Sequence, residues 1–142
     1  MISHISNIHF CPTIKSVENL KNEGITENVH LVGNTIVDSC AQIIEKGESS
    51  DYLNELISSN DDYYLCTLHR RENINNFQSM WEQLNQISEN KTIIYIKHPS
   101  VPNSEDFLGK NIIKLDPMTY QDMVFAINNS KGLISDLSLI HI

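Results

Sequence analysis

The sequence has 142 residues, of which 40% are hydrophobic, 20% charged and 7% aromatic, with five Gly and four Pro. This is globular composition, and a chain near 150 residues buries roughly two-thirds of its unfolded surface, enough for one substantial core. Ten Lys+Arg against 18 Asp+Glu give a formal charge of −8, which argues against nucleic acid or an anionic membrane as the main partner.

In chain order, Ile5–Phe10 alternates and stops before Pro12, which predicts a strand. Thr13 is placed to cap a helix reaching Asn22, with Val17 and Leu20 on one face and Gly24 as its stop. Val29–Val32 predicts a second strand, closed by Gly33-Asn34-Thr35. A helix then runs to about Lys46, with Val37, Ala41 and Ile44 on one face and Gly47 at its end. Asp51–Ser59 reads as a further short helix. Tyr63–Leu68 is near-continuously apolar, the pattern of a strand covered on both faces. It ends at His69-Arg70-Arg71-Glu72-Asn73. Asn75 or Asn76 then caps a helix whose stripe is Phe77, Met80, Trp81, Leu84 and Ile87. Thr92–Ile96 and Asn111–Leu115 predict strands ending at Lys97-His98-Pro99 and Asp116-Pro117. Tyr120–Asn129 predicts a helix with Met123, Val124 and Ile127 inward, and Gly132–Ser135 a last strand before Asp136.

Strands alternating with helices imply right-handed βαβ units and a parallel, Rossmann-like α/β sheet. Ligands bind such sheets beyond the carboxyl ends of the strands. Gly33/Asn34, His69/Arg70, His98, Asp116 and Asp136 each follow a predicted strand and are expected on one rim. No apolar run approaches the ~18 residues of a membrane span. Met1–Phe10 lacks the basic start and apolar block of a secretory signal. Cys11, Cys40 and Cys66 are odd in number and widely spaced, and read as reduced, mostly buried thiols of a cytoplasmic protein. No His/Cys/Asp/Glu group has metal-ligand spacing, so no metal site is expected.

Arg70 and Arg71 are the only arginines, and they lie beside His69 and Glu72. A guanidinium matches phosphate oxygens in pairs, and a neighbouring imidazole can donate or relay a proton. The following helix would add its N-terminal N–H groups. An anion, above all a phosphate, fits this segment. The alternative is a solvated loop whose arginines pair with surface acids. His98 alone reads first as a structural residue, and Asp116-Pro117 as a turn. Gly33-Asn34-Thr35 lacks the glycine pattern of a dinucleotide site and the Gly-Lys-Ser/Thr of a P-loop, and reads first as a turn and helix cap.

Together, Ile8–Leu20 (IHFCPTIKSVENL), Val29–Asp38 (VHLVGNTIVD), Cys66–Asn73 (CTLHRREN), Ile96–Asn103 (IKHPSVPN), Lys114–Met123 (KLDPMTYQDM) and Leu133–Asp136 (LISD) resemble the UDP-N-acetylglucosamine 2-epimerases. Their two Rossmann-like domains are similar to those of glycosyltransferase-B enzymes. The resemblance implies that residues 1–27 are the end of the N-terminal domain with its linker. Residues 28–136 would be an incomplete UDP-binding C-terminal domain. It implies His69 as the active-site histidine near the diphosphate, Arg70 as a phosphate or loop-ordering contact, and Glu72 as part of the surrounding motif. His98 would contact the UDP moiety, Tyr120 would lie near the uracil, and Asp136 would have a structural role. Asn34 and Asp116 would be supporting residues. Ile14 stands where the family usually has an acid.

The implied chemistry is free of metal and redox cofactors: a base removes the C2 proton while UDP leaves C1 in an anti elimination. The glycal is reprotonated from the other face, and UDP returns to give UDP-N-acetylmannosamine. A related branch hydrolyses the intermediate; the Arg-Arg-Glu-Asn and Asp-Pro-x-x-Tyr segments lean toward the non-hydrolysing one. The partner implied is a UDP-sugar, with a homodimer for the full-length protein. A glycosyltransferase-B-type transferase and a non-catalytic nucleotide-binding module are the alternatives. After Asp136 the family places Ser-Gly-Gly. Here Leu-Ser-Leu-Ile-His-Ile follows, the hexapeptide encoded by a common sequencing-library transposon adaptor. Residues 137–142 are therefore expected to be non-native read-through. Resequencing of the source gene is expected to replace them; a genomic Leu137–Ile142 would refute this.

Overall fold

The computed structural model describes residues 2–70, 73, 77–99, 101 and 108–136. The chain divides into two compact units, Met1–Lys46 and Gly47–Ile142. The first holds strands β1 (His9–Cys11) and β2 (Val29–Leu31), paired in parallel with His9 opposite Val29, and helices α1 (Ile14–Asn22) and α2 (Thr35–Lys46). The junction expected between residues 27 and 28 lies inside this unit, because the β1–β2 pairing crosses it. Thr13 caps α1, its hydroxyl accepting the Ser16 N–H at 3.2 Å. Gly24, at φ +82°, closes the helix in the left-handed conformation that favours glycine. β1 is shorter than the alternation predicts. The Ile5 N–H and the Ser6 hydroxyl both bond back to the Ile2 carbonyl, which ties the stretch before β1 into a local turn.

The second unit is built on a four-stranded, wholly parallel sheet of β3 (Tyr63–Thr67), β4 (Thr92–Ile96), β5 (Ile112–Leu115) and β6 (Gly132–Ser135), in the order β5-β4-β3-β6. Helices α3 (Asp51–Ser58), α4 (Phe77–Ser88) and α5 (Tyr120–Asn129) cover it. Side chains alternate across a strand, so each strand feeds two cores. Cys66, Ile93 and Tyr95 pack with Phe77, Trp81 and Leu84 of α4. Tyr63, Leu65, Ile94 and Ile96 pack with Leu53 of α3 and Ala126 of α5. This double cover explains why β3 reads as continuously apolar. The Trp81 ring meets Tyr95 edge-on at 4.9 Å. The first residue of β6 is Gly132, where a Cβ would press on the Tyr64 ring at 3.3 Å.

The helix bounds follow the sequence pattern closely, but two stripe positions depart from it. Ile127 is 40% exposed while Ala126 is fully buried, so the inward arc of α5 is centred between Met123 and Ala126 with Ile127 at its margin. Ile87 is likewise 40% exposed at the end of the α4 stripe, and Met80 is only partly buried. Leu133 of the edge strand β6 is 46% exposed.

Cys11 and Cys66 are buried and Cys40 half-buried, as the spacing suggested. Burial pushes the Cys66 thiol up to about 12, and the negative charge of Asp136 adds to the shift. Cys66 is therefore a thiol, not a thiolate, at pH 8. A disulfide-exchange reagent at that pH is expected to leave it unmodified until denaturant is added; its prompt labelling in the folded chain would contradict this packing.

Candidate functional site

Parallel pairing brings four strand exits to one end of the second unit's sheet. Thr67 lies in register with Ser135, and their hydroxyls are bonded at 3.3 Å. The residue after Ser135 therefore stands beside the chain leaving β3. That residue is Asp136. Its carboxylate, 3% exposed, accepts the Arg70 N–H at 2.8 Å, the Asn73 side-chain amide at 3.0 Å and the His69 N–H at 3.2 Å. A further bond from the Asn73 N–H to the Arg70 carbonyl at 3.2 Å closes the turn. His69 Nδ1 lies 3.6 Å from Asp136 Oδ1, an electrostatic contact too long for a hydrogen bond.

Burial by itself would raise the Asp136 pKa. The N–H of Arg70, the amide of Asn73 and the N–H of His69, together with the imidazole, outweigh it and hold the carboxyl below its ordinary range. The consequence reaches the strands beneath. Burial first, then the nearby Cys66 and Asp136, push Tyr95 up to about 12, against a small opposing pull from the His98 backbone.

Past the end of β4, His98 is exposed, and its ring centroid lies 5.6 Å from that of His69, tilted by 42°. Both imidazoles line a hollow of about 320 Å³ together with Lys97 and an apolar wall that includes Met118, Met123 and Leu133. Two imidazoles beside an apolar wall suit a ligand with an anionic and a less polar part. Arg70 contributes its main chain to the turn that holds this arrangement.

The other expected site residues fall elsewhere. Asp116, exposed at the end of β5, lines a hollow of about 480 Å³ with Lys114, Thr119 and Asp122, which shares Pro117 and Met118 with the hollow at the histidines. Tyr120 opens α5 behind its cap Thr119 and is 51% exposed, outside both sets of lining residues. The five exits do not share one sheet, because Gly33/Asn34 follows β2 in the two-stranded sheet of the first unit. There Gly33 takes φ +81°, Asn34 Oδ1 accepts the Ile36 N–H at 3.2 Å, and the Asn34 carbonyl accepts the Val37 N–H at 2.9 Å. This is the turn and helix cap read from the sequence, with a physical cause in the asparagine side chain. Glu72, Arg71, the expected α4 cap at Asn75 or Asn76, and residues 137–142 lie outside the described residues. Asn73 was present in the sequence motif without an assigned role. Its signal was an amide side chain just past the most apolar strand, opposite an aspartate ending another.

A parallel α/β unit whose carboxyl rim carries facing imidazoles over a carboxylate-clamped turn belongs to the Rossmann-like ligand-binding class. The family model for UDP-N-acetylglucosamine 2-epimerase matches residues 1–141. The chain is 34% identical to a UDP-N-acetylglucosamine 2-epimerase of Methanococcus maripaludis, over 96% of this chain and 42% of the relative. It is 30% identical to the UDP-2,3-diacetamido-2,3-dideoxy-D-glucuronate 2-epimerase of Pseudomonas aeruginosa, over 96% and 40%. Among solved structures, the Methanocaldococcus jannaschii UDP-GlcNAc 2-epimerase in complex with UDP-GlcNAc and UDP superposes with a TM-score of 0.72 at 33% identity, over 94% of this chain and 41% of that one. The chain belongs to the UDP-N-acetylglucosamine 2-epimerase family. It spans about two-fifths of the length of the relatives it matches.

The depressed Asp136 pKa sets the sign of its effect on stability. Ionised Asp136 stabilises the fold fully above the unfolded carboxyl value of about 3.9, and that contribution is lost as pH falls through the lower folded value. Asp136→Ala is expected to cost about 3 kcal/mol near neutral pH, since it strands buried donors. In urea denaturation the gap from wild type should shrink in acid below the ordinary carboxylate range; a gap constant with pH would contradict the clamp.

Proposed function

We propose that this chain forms the nucleotide-binding part of a UDP-N-acetylglucosamine 2-epimerase, with residues 28–136 belonging to its C-terminal Rossmann-like domain. The observation that carries the reading is the pair of imidazoles, His69 and His98, held 5.6 Å apart at the carboxyl end of the sheet above a turn clamped by Asp136. Family membership supplies the substrate class; the geometry offers a place for a pyrophosphate.

In the proposed reaction a base takes the C2 proton of the sugar. The electrons of that C–H bond form the C1–C2 double bond, and the C1–O pair leaves with UDP. Reprotonation of C2 from the opposite face and return of UDP give the epimer. The leaving diphosphate gains negative charge in this step, and cationic groups fixed beforehand stabilise it. We assign His69 to serve the diphosphate directly, His98 to hold the nucleotide, and Arg70 to a phosphate or loop-ordering contact. Tyr120 is assigned to the uracil side, with Glu72, Asn34 and Asp116 in supporting roles. The base belongs to the part of the relatives that this chain does not span. The 142-residue chain alone is therefore expected to bind UDP without turning over UDP-N-acetylglucosamine, and the working protein is proposed to be a cytoplasmic homodimer.

UDP titrated into the labelled chain should shift the ring signals of His69 and His98 together. Absence of any shift at either histidine would count against the site. In the full reading frame, reaction in deuterated water followed by NMR should place deuterium at C2 of a nucleotide sugar. Free N-acetylmannosamine would instead assign the hydrolysing branch. His69→Ala there should lower kcat about 100-fold or more.

A further inference from the structure

The two oxygens of the buried Asp136 carboxylate do different work. Oδ2 takes the Arg70 N–H at 2.8 Å and the Asn73 amide at 3.0 Å. The His69 N–H is shared, 3.2 Å from Oδ1 and 3.3 Å from Oδ2, and Oδ1 faces His69 Nδ1 at 3.6 Å. We infer that Asp136 is a positioning residue for His69, keeping the proton of the neutral imidazole on Nδ1 and the lone pair on Nε2. This rests on the proposed role of His69 at the diphosphate.

The physical argument is electrostatic. A lone pair on Nδ1 would point its negative end at an anion that is 3% exposed and little screened by water, whereas an Nδ1–H dipole is attracted to it. The favoured tautomer therefore presents Nε2, the nitrogen remote from Asp136, as the reactive atom. When Nε2 takes up a proton from water, the resulting cation lies against the carboxylate. That Nε2–H can then donate a hydrogen bond to the diphosphate oxygen that receives the C1–O electron pair, and it keeps its proton when UDP returns to C1. A carboxylate that orients an imidazole in this way acts through the histidine without touching substrate.

The same division of labour makes Asp136→Asn diagnostic. The amide oxygen is drawn to the Oδ2 position by the Arg70 and Asn73 donors. This puts the amide NH2 at the Oδ1 position, against Nδ1, where it favours a lone pair, while the His69 N–H keeps its acceptor at the Oδ2 position. The tautomer should invert while the turn persists.

The test is nitrogen NMR of the 142-residue chain with labelled histidine, at a pH where the imidazole is neutral. His69→Gln assigns the His69 signal among the six histidines. The wild-type ring should carry its proton on Nδ1, and Asp136→Asn should move it to Nε2 with the amide spectrum otherwise preserved. A wild-type ring protonated on Nε2 would overturn the inference, as would an unchanged Nδ1–H tautomer in the folded variant. Should the variant unfold, the wild-type tautomer alone decides. No nucleotide is present in these samples, so a failure here leaves the nucleotide-sugar reading standing; that reading fails separately, in the UDP titration.

Discussion

The buried carboxylate of Asp136 is the constraint on which the rim of the second unit depends. A turn leaving a central strand exposes N–H groups that no ladder can satisfy, and burying them unpaired costs free energy. Asp136 satisfies the N–H groups of His69 and Arg70 and the amide of Asn73 at once. The carboxylate is in turn kept ionised in a buried place by the donors it accepts. Each side of this arrangement makes the other tolerable, and the imidazole of His69 is carried by the result.

The parallel sheet supplies the alignment that makes the clamp possible. β3 pairs with β4 on one side and β6 on the other, so the residues following those three strands emerge as neighbours. His98 reaches His69 from β4, and Asp136 reaches it from β6. Register alone thereby gathers groups that are distant in the chain, Asp136 standing 67 positions from His69. The two-layer core below, with Leu65 and Ile94 on one face and Cys66 and Tyr95 on the other, holds that register against slippage, because a one-residue shift would turn each apolar set to the wrong face.

Family membership and the local geometry bear on different questions. Similarity to UDP-N-acetylglucosamine 2-epimerases assigns the chain its family, and the chain covers about two-fifths of those relatives. The geometry shows the imidazoles of His69 and His98 with ring centroids 5.6 Å apart, beside the turn held by Asp136. The exposed apolar margin of α5 and β6, at Ile127 and Leu133, borders the same hollow and gives its wall an apolar side.

Period and punctuation in the sequence by themselves determined nearly every element. The α4 stripe of Phe77, Trp81 and Leu84, the apolar run of β3, and the caps at Thr13 and Asn34 depend on neighbours within a few residues, where the chemistry is local. The His-Arg-Arg-Glu-Asn segment also marked the site. Only the tertiary structure decided which strand exits meet. It put Asn34 after a strand of the two-stranded sheet, set Asp116 in the hollow lined by Lys114 and Asp122, left Ile127 at the margin of α5 and bound Asn73 to Asp136 across 63 positions of chain. The reason is that strand order and register are set by long-range pairing and by burial on both faces, and neither leaves a trace in the spacing of adjacent residues.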